Sequence, residues 1–176
     1  MDVVFINPNS SAKAYQGLAL TYSAIEPPTW ALLLAQACRS KNFKVSILDC
    51  DAERLSLKDS LKRIEELKPR LICFVVYGQN PNSGTTSMIG ATALAAYIRE
   101  YAPEHPICFV GSHTSALPKD VLKYHFVDFV LLNEGVYALQ NLLRTNLKDD
   151  LQKVKGIGRK DNGKLILNKP EQVVPQ

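Results

Sequence analysis

Ile107-Cys108-Phe109-Val110-Gly111-Ser112-His113-Thr114 decides how the chain folds. Four apolar residues run straight into glycine and three polar side chains. A second stretch, Val127-Asp128-Phe129-Val130-Leu131-Leu132, stops in the same way at Asn133-Glu134-Gly135. Short apolar runs bounded by small polar residues are the pattern of strands buried on both faces of a parallel sheet. In such sheets ligands bind in the crevice beyond the carboxyl ends of the strands. The two stretches therefore predict two strand ends beside a binding site.

The flanking sequence repeats the pattern. Residues 3–6 are a strand, ending in Asn7-Pro8-Asn9-Ser10-Ser11. A polar loop carrying Tyr15, Gly17, Tyr22 and Glu26 leads to Pro27-Pro28; a connection of that length is usually functional or disordered, and its aromatics and Pro-Pro ending favour an ordered loop. Pro28 suits a first helical position. Trp30, Leu33, Leu34, Ala37 and Cys38 then recur at helical spacing, predicting a helix to about Lys41. Residues 44–48 are a second strand, ending at Asp49-Cys50-Asp51. Ser56 with Asp59 three residues on predicts a helix cap. Leu57, Leu61, Ile64 and Leu67 form the apolar stripe that follows, and Pro69 stops it. Residues 71–77 are a third strand. Gly78-Gln79-Asn80-Pro81-Asn82-Ser83-Gly84 is predicted as a polar turn. An alanine-rich helix over 91–101 follows, starting between Ser83 and Met88. Residues 118–124 form a short helix, and Tyr137, Leu139, Leu142 and Leu143 mark another. Asn162-Gly163 between runs 154–159 and 164–167 predicts a tight hairpin, since both turn positions need positive φ. Residues 170–176 read as the start of a linker.

Strands alternating with helices predict an α/β fold. With five strands it is the flavodoxin-like, Rossmann-type doubly wound parallel sheet of order 2-1-3-4-5, with a C-terminal β-hairpin. Its crevice lies above the first and third strands, where the order reverses. The expected division is an α/β domain over 1–150, with hairpin and linker start over 151–176.

Composition narrows the function. The chain is 46% hydrophobic and 22% charged with a net charge of +4, which fits an ordinary soluble globular protein. Its basic residues are spread out, so no nucleic-acid partner is expected. No apolar run approaches the ~18 residues of a membrane span, so no membrane partner is expected either. Cys38, Cys50, Cys73 and Cys108 are far apart and form no C-x-x-C pair. They read as reduced core residues of a cytoplasmic protein, and the chain opens on a strand without a leader.

The strand ends are Asn7-Pro8-Asn9, Asp49-Cys50-Asp51, Tyr77-Gly78-Gln79-Asn80, Gly111-Ser112-His113-Thr114 and Asn133-Glu134-Gly135. Amides and hydroxyls give directed, uncharged hydrogen bonds, and glycine admits a ligand close to the backbone. This suits a large neutral ligand rich in amides better than a polyphosphate. Neither a P-loop nor G-x-G-x-x-G occurs. Turn chemistry alone is the competing account of Asn7-Pro8 and of Gly78-Gln79-Asn80. His113 is either a ligand contact or a satisfied loop histidine. Glu134 either faces the site or caps the following helix. Asp49 and Asp51 fit a helix start better than a metal site.

The order of these motifs resembles the N-terminal cobalamin-binding domain of cobalamin-dependent radical S-adenosylmethionine enzymes. The matching pieces are Asn7-Pro8, then Pro27-Pro28 before Leu32-Leu33-Leu34-Ala35, then residues 44–49 for the family's "Gly-His-x-Val … Asp" strand. Gly111-Ser112-His113-Thr114 with Leu117-Pro118 stands for "Gly-Gly-x-His-x-Thr … Pro", and Asn133-Glu134-Gly135 for "Gly-Glu-Gly-Glu". The resemblance implies cobalamin as cofactor and as site residues Asn7, Pro8, Asn9, Tyr77, Gly78, Gln79, Asn80, Gly111, Ser112, His113, Thr114, Asn133, Glu134 and Gly135. A related branch carries Asp-x-His-x-x-Gly, whose histidine ligates cobalt. Asn7, Asn9 and Ala12 stand there, so the resemblance implies base-off cobalamin with no histidine from that motif. Ser112 replaces a glycine and Val136 an acid. No C-x-x-x-C-x-x-C is present, so an iron–sulfur cluster, S-adenosylmethionine and the radical chemistry are expected only in a downstream or partner radical domain. No catalytic residue and no protein metal ligand is expected in this chain.

Two other readings compete. One is a cofactor-free interaction module of the same fold, docking through the loop between Tyr15 and Tyr22. The other is a small nucleotide- or sugar-binding enzyme with His113 and Glu134 as acid–base pair.

Overall fold

The computed structural model describes residues 1–10, 26–77 and 81–171, with the side chains of 81–84 left aside. Gly78, Gln79, Asn80 and the loop containing Tyr15 and Tyr22 lie outside the described residues.

Five parallel strands form the centre: β1 Val3–Asn7, β2 Val45–Asp49, β3 Leu71–Val75, β4 Ile107–Val110 and β5 Phe129–Leu131. Between them run α1 Thr29–Arg39, α2 Leu57–Leu67, α3 Pro81–Tyr101, the short α4 Ser112–Ala116 and α5 Pro118–Lys123; α6 Val136–Arg144 follows β5. The hairpin strands are β6 Ile157–Asp161 and β7 Lys164–Leu167. The sheet order is β2-β1-β3-β4-β5-β6-β7. The predicted 2-1-3-4-5 order therefore holds. The hairpin adds to the sheet because β6 pairs antiparallel with β5, Val130 opposite Gly158. Its turn has φ 48° at Asn162 and 78° at Gly163, the pair of positive values that an Asn-Gly turn supplies.

The sheet is covered on both faces. Val4, Ile6, Ile72, Phe74 and Phe109 pack towards α2, α3 and α5. Val3, Phe5, Cys73, Val75, Cys108 and Val110 alternate with them and pack towards α1 and α6. Continuous apolar runs are needed because both faces are dry. All four cysteines are free and buried. Ser56 caps α2 as expected, its oxygen accepting the Asp59 amide.

Three local expectations change. The buried face of α1 is Ala31, Leu34, Ala35 and Cys38, while Trp30 and Leu33 are 40% and 55% exposed. Alanines let a helix lie close to a sheet, so the small residues, not the largest ones, face inward. The predicted turn through Asn82-Ser83-Gly84 is already helix, since α3 begins at Pro81. That position suits proline, whose missing N–H is not needed in a first turn. Residues 112–116, read as loop, make the short helix α4.

Candidate functional site

Parallel strands end on one edge of the sheet, so β1, β3, β4 and β5 deliver their terminal residues to the same place. After β1, Asn7 donates its side-chain amide to Asp49 Oδ1 at 2.8 Å, and Asp49 also accepts the Ala52 amide at 3.0 Å. Asn7 and Asp49 thus tie the ends of two neighbouring strands together. Asp49 therefore closes a turn and does not start a helix as expected, the next helix being capped by Ser56, and one Asn7 donor is used within the fold. Pro8 and Ser10 are buried. The Ser10 hydroxyl donates to the Ser87 carbonyl at 3.0 Å and accepts the Gly90 amide at 3.2 Å, fastening the chain after β1 onto α3.

After β4 the backbone of Gly111 adopts φ 152° and ψ 175°. A Cβ there would stand 2.3 Å from the Val76 carbonyl oxygen. The glycine expected to admit a ligand is thus already required by the neighbouring strand. Gly135 has φ 71°, and a Cβ there would meet Val110 Cγ2 at 2.8 Å. It is the N-cap of α6, and no side chain caps that helix.

The polar side chains at this edge divide into two groups. One is tied into the fold. His113 Nδ1 lies 3.2 Å from Thr85 Oγ1, joining α4 to the first turns of α3. Tyr77 donates its hydroxyl to the Asn133 carbonyl at 2.7 Å, and Ser115 donates to the same oxygen at 3.3 Å. Trp30 stacks on Tyr77 with ring centroids 4.4 Å apart. Burial, helped by the Glu134 carboxylate, pushes the Tyr77 phenol up to about 12, so it stays a neutral donor.

The other group has no partner. Five buried side-chain atoms among the described residues lack a hydrogen bond: Asn9 Oδ1, Ser112 Oγ, Thr114 Oγ1, Arg99 Nε and Arg159 Nε. The two arginines are anchored elsewhere, on Asp128 and Asp161. The remaining three lie at the carboxyl ends of β1 and β4, on either side of β3. A buried polar group left unpaired costs about 1–3 kcal/mol. Three such atoms at one edge are suited to a ligand that pairs with them.

A family profile described as "B12 binding domain" matches residues 15–143 of the chain. The chain belongs to the B12-binding domain family. Solved structures with the same fold include the radical S-adenosylmethionine methyltransferase TsrM from Kitasatospora setae, with cobalamin and a [4Fe-4S] cluster bound. It is 17% identical with a TM-score of 0.75, over 100% of this chain and 30% of that one. Another is OxsB, a cobalamin-dependent S-adenosylmethionine radical enzyme with aqua-cobalamin and S-adenosylmethionine bound. It is 18% identical with a TM-score of 0.72, over 98% of this chain and 22% of that one. This B12-binding domain therefore spans less than a third of either neighbour. No curated protein matches the sequence.

Among its described residues, this B12-binding domain has no group of three His, Cys, Asp or Glu side chains placed to hold a metal ion. Among the same residues no helix is long and apolar enough to cross a membrane. His105 and His125 precede β4 and β5, at the opposite edge of the sheet from the site. Three residues at the site carried no signal of their own in the sequence. Ser10, Thr85 and Gly90 act only through contacts with distant segments. Trp30 was read only as part of an apolar helical stripe, although a tryptophan two residues after Pro27-Pro28 was an available clue.

Proposed function

We propose that this domain binds cobalamin in the crevice above β1, β3, β4 and β5 and presents it to a radical S-adenosylmethionine domain. The supporting observation is the set of unpartnered buried atoms, Asn9 Oδ1, Ser112 Oγ and Thr114 Oγ1. Cobalamin is edged with amides and carries a nucleotide tail, so it offers donors to the Asn9 oxygen and both donors and acceptors to the two hydroxyls. Bound cobalamin would supply a cobalt centre for methyl transfer or related radical chemistry.

The chain's own part is to hold, orient and exclude water. Asn7, Asn9 and Ala12 occupy the place of the cobalt-ligating motif, and none offers an imidazole. By the family resemblance the cofactor would be base-off, and Ser112 and Thr114 would hold its tail. Pro8, Gly111 and Gly135 shape the walls. Tyr77, His113, Asn133 and Glu134 form the rim; Gly78, Gln79 and Asn80 remain candidates from the sequence alone. The iron–sulfur cluster and S-adenosylmethionine belong to the partner domain, since this chain's cysteines are dispersed and buried. The short share of TsrM and OxsB that the chain spans supports such a partner. Reduced, buried thiols fit a cytoplasmic setting.

The test is retention of colour. The purified chain mixed with hydroxocobalamin should carry a corrin spectrum through gel filtration. Loss of every cobalamin form under both oxidising and reducing conditions would rule out the proposal.

A further inference from the structure

Tyr77 follows β3 and Asn133 follows β5, and β4 lies between those strands. The 2.7 Å bond from the Tyr77 hydroxyl to the Asn133 carbonyl therefore passes across the end of β4. Here the chain turns through Gly111 into Ser112 and Thr114, whose hydroxyls have neither a partner nor contact with solvent. Asn133 has φ 55°, the left-handed conformation in which its carbonyl meets the phenol. Trp30 stacks on the ring and fixes the phenol from the α1 side. Polar groups shut away unpaired are costly, so that cost opposes whatever closes over them, and a ligand that pairs with them relieves it.

We infer that Tyr77 is a strap, fastened to Asn133 across the end of β4, that closes over the Ser112 and Thr114 hydroxyls and opens to admit a ligand to them. Naming that ligand as cobalamin rests on the function proposed above; the strap itself does not. When the phenol leaves Asn133, Ser115 still donates to the same carbonyl, so that oxygen is not stranded. The strap opens by rotation of one side chain and needs no movement of the sheet.

A thiol placed under the strap tests it without any cofactor. The four native cysteines are buried. In a Ser112→Cys chain, a water-soluble aromatic disulfide reagent should therefore report chiefly on position 112. Adding Tyr77→Phe keeps the ring and its stack on Trp30 but removes the fastening. Labelling should then quicken roughly fivefold, the worth of one hydrogen bond. Ser115→Ala, which removes a tie that does not cross β4, should leave the rate unchanged. Equal rates with Tyr77 and with Tyr77→Phe would overturn the strap, as would equal acceleration by Ser115→Ala. Should Ser112→Cys fail to fold, Thr114→Cys serves in the same design. Stopped-flow mixing with hydroxocobalamin separates the two claims. A wild-type chain that binds none defeats the proposed function, and labelling still decides the strap. A chain that binds at the same rate with and without the Tyr77 hydroxyl defeats the strap, and the proposed function stands.

Discussion

Gly90 lies directly beneath Asn9: a Cβ at position 90 would stand 2.2 Å from the Asn9 carbonyl oxygen and 2.6 Å from Ser10 Oγ. The residues after the first strand are thus seated on α3, not merely near it. The Asn9 backbone is held by a helix eighty residues away in sequence, while its Oδ1 is buried and unpaired. Gly90→Ala should push this seat apart, costing about 1–3 kcal/mol as overpacking does. It should also weaken cobalamin binding by displacing Asn9. Urea unfolding and a spectral titration with hydroxocobalamin would measure both. A variant indistinguishable from wild type in each would show that the seat is unimportant.

Ser112→Ala and Thr114→Val remove hydroxyls that have no partner in the free protein. The usual penalty for deleting a buried polar group should therefore be absent. The free chain is expected to be as stable as wild type, or more stable by about 1 kcal/mol. Cobalamin affinity should fall several-fold for each. Thermal melts with and without cofactor separate the two effects. Clear destabilisation of the free protein would mean that the hydroxyls already have partners.

Gly111→Ala should be far more damaging. Its φ of 152° disfavours a side chain, and the Val76 carbonyl fills the space where a Cβ would go. Strain and clash together predict a loss of roughly 2–5 kcal/mol. Denaturant midpoints should rank Gly111→Ala below Gly90→Ala, because the former confronts central-strand backbone at a forced dihedral angle.

Alkaline pH should unfold the domain gradually. Burial pushes the Cys38 thiol from 9.0 to about 12, the Cys50 thiol to about 11 and the Tyr77 phenol from 10.0 to about 12. Below pH 9 these groups are protonated in both folded and unfolded chains, so their contribution is fully present. Between pH 9 and 12 the unfolded chain releases their protons first, and stability falls through that window. Unfolding free energies measured at intervals across it should decline steadily. A flat profile would contradict the burial of these groups.

The sheet was legible because its signals are local. An apolar run of four or five residues stopping at glycine or asparagine marks a buried strand end, and Asn162-Gly163 marks a hairpin turn. The attachment of that hairpin to β5 was not legible, since Val130 and Gly158 meet only through pairing. The orientation of α1 was misread because Trp30 and Leu33 weigh most in an apolar stripe, whereas close packing against the sheet selects Ala31 and Ala35. At the site, the residue types at the strand ends were visible, but their division was not. Asn7 is tied to Asp49 while Asn9 keeps a buried free oxygen, and nothing in Asn7-Pro8-Asn9 distinguishes the two. The seat at Gly90 is likewise a property of two segments, neither of which announces it.

The chain has a single tryptophan, and the fold sets it at the lip of the crevice, face to face with Tyr77. Its emission is therefore a built-in optical gauge of that corner. A corrin settling nearby would absorb the indole's light, and a phenol swinging away would change the ring's surroundings. Occupancy and opening can thus be followed in the unlabelled protein, each with its own time course.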